Sequence, residues 1–256
     1  MRTIASVIPA FNEAGTIRDV AERTLSQIPW VVVVDDGSTD GTGAMLDGLP
    51  VTVLRNASNC GKAASLARAM DHVLGEGAEA VITLDGDGQH RPEDIPRLLA
   101  ARGRNLDAII IGSRLHEGRN MPRDRYIANR FANFWIAWAA GQPIADSQSG
   151  FRVYPAALLR GLSLRCDRAA SFVYESEILI EAGRRGVKVV AVPVSAIYEA
   201  RGRRSHFKPV LDIARIVRMV AWKLLARGLY LRGLVSSLRG DAGQDCLDDK
   251  AGREVR

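Results

Sequence analysis

Short runs of β-branched and aliphatic residues alternate along this chain with stretches whose apolar positions recur at helical spacing. Residues 3–8 (TIASVI) read as a strand, and residues 16–28 as a helix with Ile17, Val20, Ala21, Leu25 and Ile28 on one face. Residues 30–34 (WVVVV) are apolar at every position, as expected of a strand covered on both sides in a parallel sheet. A strand at 51–54, a helix at 62–74 with Ala63, Leu66, Ala67, Met70 and Val73 inward, and a buried strand at 80–84 continue the alternation. Pro92 suits a helix start, with Glu93 and Asp94 in the first turn where the dipole favours them, and 108–111 is strand again.

Strand–helix alternation of this kind predicts a parallel sheet with helices on both faces. Beyond about residue 115 the pattern loosens. The stretch FANFWIAWAA at 131–140 is too short to span a bilayer, and Phe131, Phe134, Trp135 and Trp138 recur at helical spacing, suiting either core or a lipid-facing ridge. Residues 188–194 (KVVAVPV) predict a late strand. Residues 209–238 predict a helix or helix pair: Ile213, Val217, Val220 and Leu224 form a stripe, Arg215, Arg218, Lys223 and Arg227 lie elsewhere on the wheel, and Gly228 and Gly233 weaken the end. Residues 240–256 are polar and predict a disordered tail. The expected division is a body at 1–200, a basic loop and amphipathic helix at 201–239, and the tail.

Charge sharpens that division. Residues 1–200 carry 22 Lys/Arg against 23 Asp/Glu, whereas residues 201–256 carry 13 against 6. A nucleic-acid binder would stripe its fold with basic residues, so no nucleic-acid partner is expected, and the basic end points to an anionic surface. Cys60, Cys166 and Cys246 are far apart, with no C-x-x-C spacing, which fits neither a zinc site nor a disulfide framework. The N-terminal MRTIASVIPAFNE enters a strand without a signal-peptide core, and no run of about 18 apolar residues exists. A reduced, cytoplasmic chain is the expectation.

Acidic residues gather where strands end. Asp35 and Asp36 follow WVVVV and lead into GSTDG; Asp85 and Asp87 follow AVITL in DGDGQ. Open parallel sheets bind ligands outside the carboxyl ends of their strands, so two carboxylate pairs there predict one acidic crevice. Carboxylates crowded in a cleft repel one another, and a divalent cation relieves that. Mg²⁺ or Mn²⁺ bridging to a diphosphate fits such a pair.

The blocks VIPAFNEAGTI, VVVVDDGSTDGT, NCGKAASLARAM, LDGDGQHRPEDIP and IGSR, in this order and spacing, resemble the inverting family-2 glycosyltransferases over residues 3–115. The second half, through DSQSGFRVYP, ESEILIEAGRRGVKVVAVPV and YEARGRRSHFKP, is similar to the polyprenyl- or dolichyl-phosphate sugar synthases of that family. The resemblance implies the GT-A fold: a Rossmann-like α/β domain with a mixed, mostly parallel sheet flanked by helices, here with a C-terminal amphipathic helix. The Q-x-x-R-W element of processive synthases is absent, so polymerisation is not expected.

Position by position, the resemblance implies roles. Pro9, Ala10, Asn12 and Glu13 would line the nucleotide; Asp36, with Asp35 beside it, would contact it; Lys62 would lie near it. Asp85, Asp87 and Gln89 would hold the metal and ribose. Arg114, with Arg125, would clamp phosphate, unless it pairs with a structural acid. Asp146 opens the block beside the reacting carbon and Arg152 ends it, grouped here with the acceptor-phosphate residues; Arg152 and Glu177 suit a buried supporting pair equally. Arg201, Ser205 and Lys208 match a basic segment that meets donor diphosphate or acceptor phosphate. His90, His116 and His206 show no partner pattern.

Displacing a nucleoside diphosphate builds negative charge on the leaving group, which a metal and arginines stabilise. Asp87, Arg114 and Asp146 are therefore the expected catalytic set. A hydroxyl acceptor would need a carboxylate such as Asp146 as base, whereas a lipid phosphate is already ionised and would need it only as an orienting group. The leading expectation is transfer of one sugar from a GDP- or UDP-sugar to a polyprenyl phosphate, at the cytoplasmic face of a membrane, in cell-envelope synthesis. Transfer to a hydroxyl of a glycolipid or envelope glycan precursor is the alternative within enzymes, and a silent nucleotide-sugar-binding protein the alternative outside them. A nucleotidyltransferase would carry a Gly-rich basic loop where FNEAG stands. The basic helix suits an anionic membrane surface or a second copy, so a homo-oligomer stays open.

Overall fold

The computed structural model describes residues 3–114, 123–166, 173–195 and 209–239, and only the backbone at 123–125, 209–215 and 239. The elements run β1 (Ile4–Ala10), α1 (Ile17–Leu25), β2 (Val31–Asp35), β3 (Thr52–Arg55), α2 (Lys62–Gly75), β4 (Ala80–Thr83), α3 (Ile95–Arg104), β5 (Ile109–Ser113), α4 (Arg123–Ala140), β6 (Arg152–Pro155), α5 (Ala156–Arg160), α6 (Tyr174–Arg184), β7 (Val189–Pro193), α7 (Pro209–Leu225) and α8 (Leu231–Arg239). The seven strands form one sheet in the order β3-β2-β1-β4-β6-β5-β7. All pairings are parallel except those of β6, which runs antiparallel to both β4 and β5. This is the mixed, mostly parallel sheet that the resemblance implied.

Strand alternation divides the core in two. Ala5, Val7, Val32 and Val34 point to one face, where α2, α4, α6 and α7 supply Leu66, Met70, Ile136, Ile178, Val220 and Leu224. Ile8, Ala10, Val31 and Val33 point to the other, where α1 and α3 supply Ile17, Val20, Ile95 and Leu98. With both faces covered, β2 is buried at all five positions, which is why its first four residues are all valine. β1 and β2 pair so that Ala10 lies opposite Asp35, and β1 and β4 so that Val7 lies opposite Thr83. The acidic turns after β2 and β4 thereby emerge on the same edge as the FNEAG loop after β1.

One element differs from the sequence expectation, and one open alternative is resolved. β6 was not anticipated, because a four-residue RVYP run with a charged first position carries no strand period. The C-terminal segment is a helix pair: Gly228, Leu229 and Tyr230 all adopt positive φ and turn the chain between α7 and α8. Of the expected α7 stripe, Val220 and Leu224 are buried in the main core beside Ile216, Val217 is exposed, and the side chain of Ile213 lies outside the described residues.

One surface contact fastens α1 to the turn at Pro92–Asp94. Arg23 donates from Nε and Nη2 to the two carboxylate oxygens of Glu93, both at 2.7 Å. This hydrogen-bonded pairing holds the Glu93 carboxyl at about 2, well below its ordinary value. A depressed carboxylate pKa contributes stability that is present above the unfolded value and lost as pH falls toward the folded one. Glu93→Gln should therefore cost under about 1 kcal/mol near neutrality, discounted for solvent exposure. The difference in melting temperature from the parent should shrink between roughly pH 5 and 2, as read by thermal melts across that range.

Candidate active site

The three loops at the strand ends are tied to one another by hydrogen bonds. Asn12, at φ 56°, donates its N–H to Ser38 Oγ at 3.0 Å and accepts from Thr39 N at 3.0 Å. The left-handed backbone needed there is one that asparagine tolerates better than most residues. Glu13 N and Ala14 N donate to Thr42 Oγ1 (2.8 Å) and Asp40 Oδ2 (3.0 Å), so the FNEAG loop is zipped along GSTDGT. Thr16 Oγ1 donates to Gly86 O at 2.8 Å, and a Cβ on Gly86 would lie 3.3 Å from both Pro9 O and Ala10 Cβ. Pro9 and Ala10 are thus brought against the D-G-D turn, and Asn12 and Glu13 against the 38–42 loop.

Asp35 and Asp36 take supporting positions. Asp35 is fully buried; it accepts from Ser38 N at 2.9 Å and lies 3.4 Å from Arg55 Nε. Asp36 accepts from Asn56 Nδ2 (2.7 Å), Cys60 N (2.9 Å) and Gly61 N (2.8 Å), so both its oxygens organise the loop that delivers Lys62. Asp36→Ala leaves those three donors without their acceptor, and urea unfolding should read a loss of roughly 1–3 kcal/mol.

Lys62, the first residue of α2, reaches between two carboxylates: Nζ lies 2.7 Å from Asp85 Oδ1 and 2.8 Å from Glu175 Oε2. Burial alone would lower its pKa, but the charges of Asp85 and Glu175 outweigh that and hold it protonated, well above the ordinary lysine value. Asp85 is the counterpart: burial opposes its charge, yet Lys62, with His90 beside it, keeps the carboxyl far below the usual range. His90 is buried, with Nε2 3.5 Å from Asp85 Oδ2 and its ring 5.4 Å from that of Phe151. Asp87 goes the other way, pushed up by burial and then by the charge of Asp85. Gln89 meets Asp87 through its backbone N–H, at 3.0 Å from Oδ1.

Across from this cluster stands the loop before β6. Asp146 is fully buried; Oδ2 accepts from Arg114 N at 3.1 Å and lies 3.5 Å from Arg114 Nε, while Oδ1 accepts from Gln148 N at 3.3 Å. Asn133 of α4 holds the loop from behind, donating to Ala145 O (2.6 Å) and accepting from Ser147 N (2.8 Å) and Ser147 Oγ (2.6 Å). The loop closes on the acidic cluster at Gly150, whose carbonyl accepts from Thr83 Oγ1 at 2.8 Å. A Cβ on Gly150 would sit 2.7 Å from Asp85 Oδ2 and 3.1 Å from Lys62 Nζ, so a side chain there would make the carboxylate and the ammonium shift.

Some expected residues lie elsewhere. Arg152, grouped by sequence with the acceptor-phosphate residues, points into the scaffold: it donates from Nε to Ser149 O (2.7 Å), from Nη1 to Tyr154 Oη (3.1 Å) and Glu175 O (2.8 Å), and from Nη2 to Ser147 O (2.8 Å). Glu177 does not pair with Arg152 as anticipated; its Oε1 lies 2.8 Å from Lys223 Nζ on α7. Residues two apart on a helix sit roughly 200° around it, so Glu175 faces the site and Glu177 faces away. Glu175 and His90 are the cluster members that sequence reasoning missed. Arg201, Ser205, Lys208 and the side chain of Arg125 lie outside the described residues, as do His116 and His206.

A divalent cation fits the donor set. Asp87 and Asp85 are hard oxygen ligands two residues apart, and the like-charge crowding that raises Asp87 is what a cation relieves. No group of three or more His, Cys, Asp or Glu able to hold a metal occurs among the described residues. Two carboxylates match the partial set that Mg²⁺ takes alongside substrate phosphates, rather than a closed protein cage.

These features agree with the comparisons. The model of glycosyl transferase family 2 matches residues 6–164, and the chain belongs to that family. It is 32% identical over 200 residues to the polyprenol monophosphomannose synthase of Mycolicibacterium smegmatis, over 74% of this chain and 75% of that one. It is 27% identical over 238 residues to the undecaprenyl-phosphate mannosyltransferase of Micrococcus luteus, over 90% and 97%. The GT-A fold is shared with glucosyl-3-phosphoglycerate synthase from Mycobacterium tuberculosis, solved with Mn²⁺, uridine diphosphate and phosphoglyceric acid, at a TM-score of 0.63 and 19% identity over 88% of this chain and 78% of that one. The protein is a family-2 glycosyltransferase, and its relatives include the polyprenyl-phosphate sugar synthases that its second half resembles.

Gly150→Ala should lower affinity for UDP or GDP with Mn²⁺ by about tenfold or more, with little change in melting temperature, because the new methyl group displaces the Asp85 carboxylate and not the core. Isothermal titration beside a thermal melt reads both.

Proposed function

We propose that the protein is an inverting, metal-dependent glycosyltransferase that moves one sugar from a GDP- or UDP-sugar to a polyprenyl phosphate, at the inner face of a membrane. The observation that carries this reading is the closure of the 146–150 loop on the Lys62–Asp85 cluster, which sets a donor half and an acceptor half within one side chain of each other. The polyprenol- and undecaprenyl-phosphate activities for which the relatives from Mycolicibacterium smegmatis and Micrococcus luteus are named support the choice of acceptor.

In this reading Pro9, Ala10, Asn12 and Glu13 line the nucleotide, and Asp35 and Asp36 brace the turns around it. Asp87 and Asp85, with Gln89 at the turn, would hold Mg²⁺ or Mn²⁺, which when bound neutralises charge on the donor diphosphate. The acceptor phosphate oxygen attacks the anomeric carbon from the side opposite the diphosphate. The bond from that carbon to the leaving oxygen breaks, and its electron pair departs with the nucleoside diphosphate, inverting the centre. Lys62 and Arg114, together with Arg125, Arg201, Ser205 and Lys208, supply positive charge and donors to the two phosphate groups. A lipid phosphate is already ionised near neutral pH, so no base is required. Asp146, fully buried and bonded to the main chain and guanidinium of Arg114, then orients that arginine and does not take a proton.

The test is turnover with a panel of GDP- and UDP-sugars, Mn²⁺ or Mg²⁺, and a short-chain polyprenyl phosphate. Release of one nucleoside diphosphate that rises with the lipid is expected, falling by about a thousandfold in Asp87→Ala. Turnover indifferent to the lipid but stimulated by a glycolipid hydroxyl would overturn the acceptor assignment, and donor binding without turnover would overturn the enzymatic one.

A further inference from the structure

α8 is amphipathic in the reverse sense of a helix packed on a globular body. Its buried positions are Gly233 and Ser237, whereas Leu231, Val235 and Leu238 are 63%, 45% and 56% exposed. These three residues fall at i, i+4 and i+7, one continuous stripe turned outward. The orientation is fixed. Trp138 Nε1 of α4 donates to Leu229 O and Tyr230 O at 3.0 and 3.2 Å, pinning the start of α8. A Cβ on Gly233 would lie 2.9 Å from Trp138 O, so the small face must stay against α4. The helix cannot roll its leucines inward without breaking that approach. α4 itself leaves Ile127, Phe131 and Phe134 exposed beside it.

We infer that the outward faces of α8 and α4 form the surface by which this protein docks on an anionic lipid bilayer. The occupant follows from charge. Residues 209–239 carry six Lys/Arg and one acid, Asp212, and Arg130, Arg218 and Arg232 are exposed around the apolar rows. A second copy laid face to face would set arginine against arginine, whereas an anionic headgroup layer neutralises them and accepts the leucines beneath it. The dock falls within the basic segment that the sequence pointed to, but it is carried by α8, since Ile216, Val220 and Leu224 of α7 are buried in the core.

The docking surface is also placed for the chemistry, and this part rests on the acceptor being a membrane lipid. α4 carries Phe131 and Phe134 on its outer face and Asn133 on its inner one, where Asn133 holds the loop of Asp146. A single helix, about 10 Å across, separates lipid from acceptor site.

The full chain is tested by sedimentation with mixed phosphatidylglycerol and phosphatidylcholine vesicles at physiological ionic strength. The triple variant Leu231→Ser, Val235→Ser, Leu238→Ser should lose about tenfold or more in vesicle partitioning, keeping its turnover on a water-soluble short-chain acceptor. Phe131→Ser with Phe134→Ser should weaken partitioning in the same direction. Should the triple variant fail to melt cooperatively, Leu231→Ser alone, the most exposed position, should still lose several-fold. Unchanged vesicle binding in these variants overturns the proposal. So does a parent dimer that the triple variant converts to monomer, since a second copy would then cover the face. If vesicle binding is lost but the parent never glycosylates polyprenyl phosphate, the acceptor reading fails and the docking surface stands.

Discussion

One shared cation organises this active site. Lys62 reaches between Asp85 and Glu175, carboxylates from β4's exit turn and α6, at hydrogen-bonding distance from both. Without that ammonium the Asp85 and Glu175 carboxylates would face each other with no charge between them, and like-charge repulsion would push one of them toward its protonated form. Everything around it serves the placement: Asp36 shapes the loop that launches α2 with Lys62 as its first residue, and Gly150 omits the side chain that would push the pair apart. The site is pre-organised by electrostatics before any donor arrives, in keeping with catalysis that depends on fixed charge more than on motion.

The two halves of the chain contribute differently. The first, up to β5, is a regular alternation in which the loops after β1, β2 and β4 are hydrogen-bonded to one another. The second is assembled around α4, which binds the 146–150 loop through one face and meets α6, α7 and α8 with others. In this second half β6 inserts between β4 and β5 and runs antiparallel to both.

Legibility followed the same division. Strands buried on both faces announce themselves by apolar runs, so β1, β2, β4 and β5 were read from residue pattern, and the acidic pairs after β2 and β4 marked the edge where the loops gather. What pattern does not carry is the partner of a polar residue. Nothing in ESEILIE says that Glu175 faces Lys62 while Glu177 faces Lys223; helical geometry settles it once a neighbour is known on each side. His90 looked isolated because its partners, Asp85 and Phe151, are five and sixty-one positions away. Arg152 looked like a phosphate ligand because arginine near an active-site motif usually is one, and only its carbonyl partners reveal a structural role.

That buried arginine has a consequence for how the sheet is assembled. β6 is short, and four residues of antiparallel pairing specify alignment weakly when hydrophobic contacts alone decide it. A slip by a single residue would turn Arg152 and Tyr154 to the opposite layer and strand a guanidinium among Ile8, Ile82 and Leu98. In the native alignment its donors find carbonyls at 147, 149 and 175 together. Arg152 therefore works as a key that fits only one alignment, and the acceptor loop inherits its position from that lock.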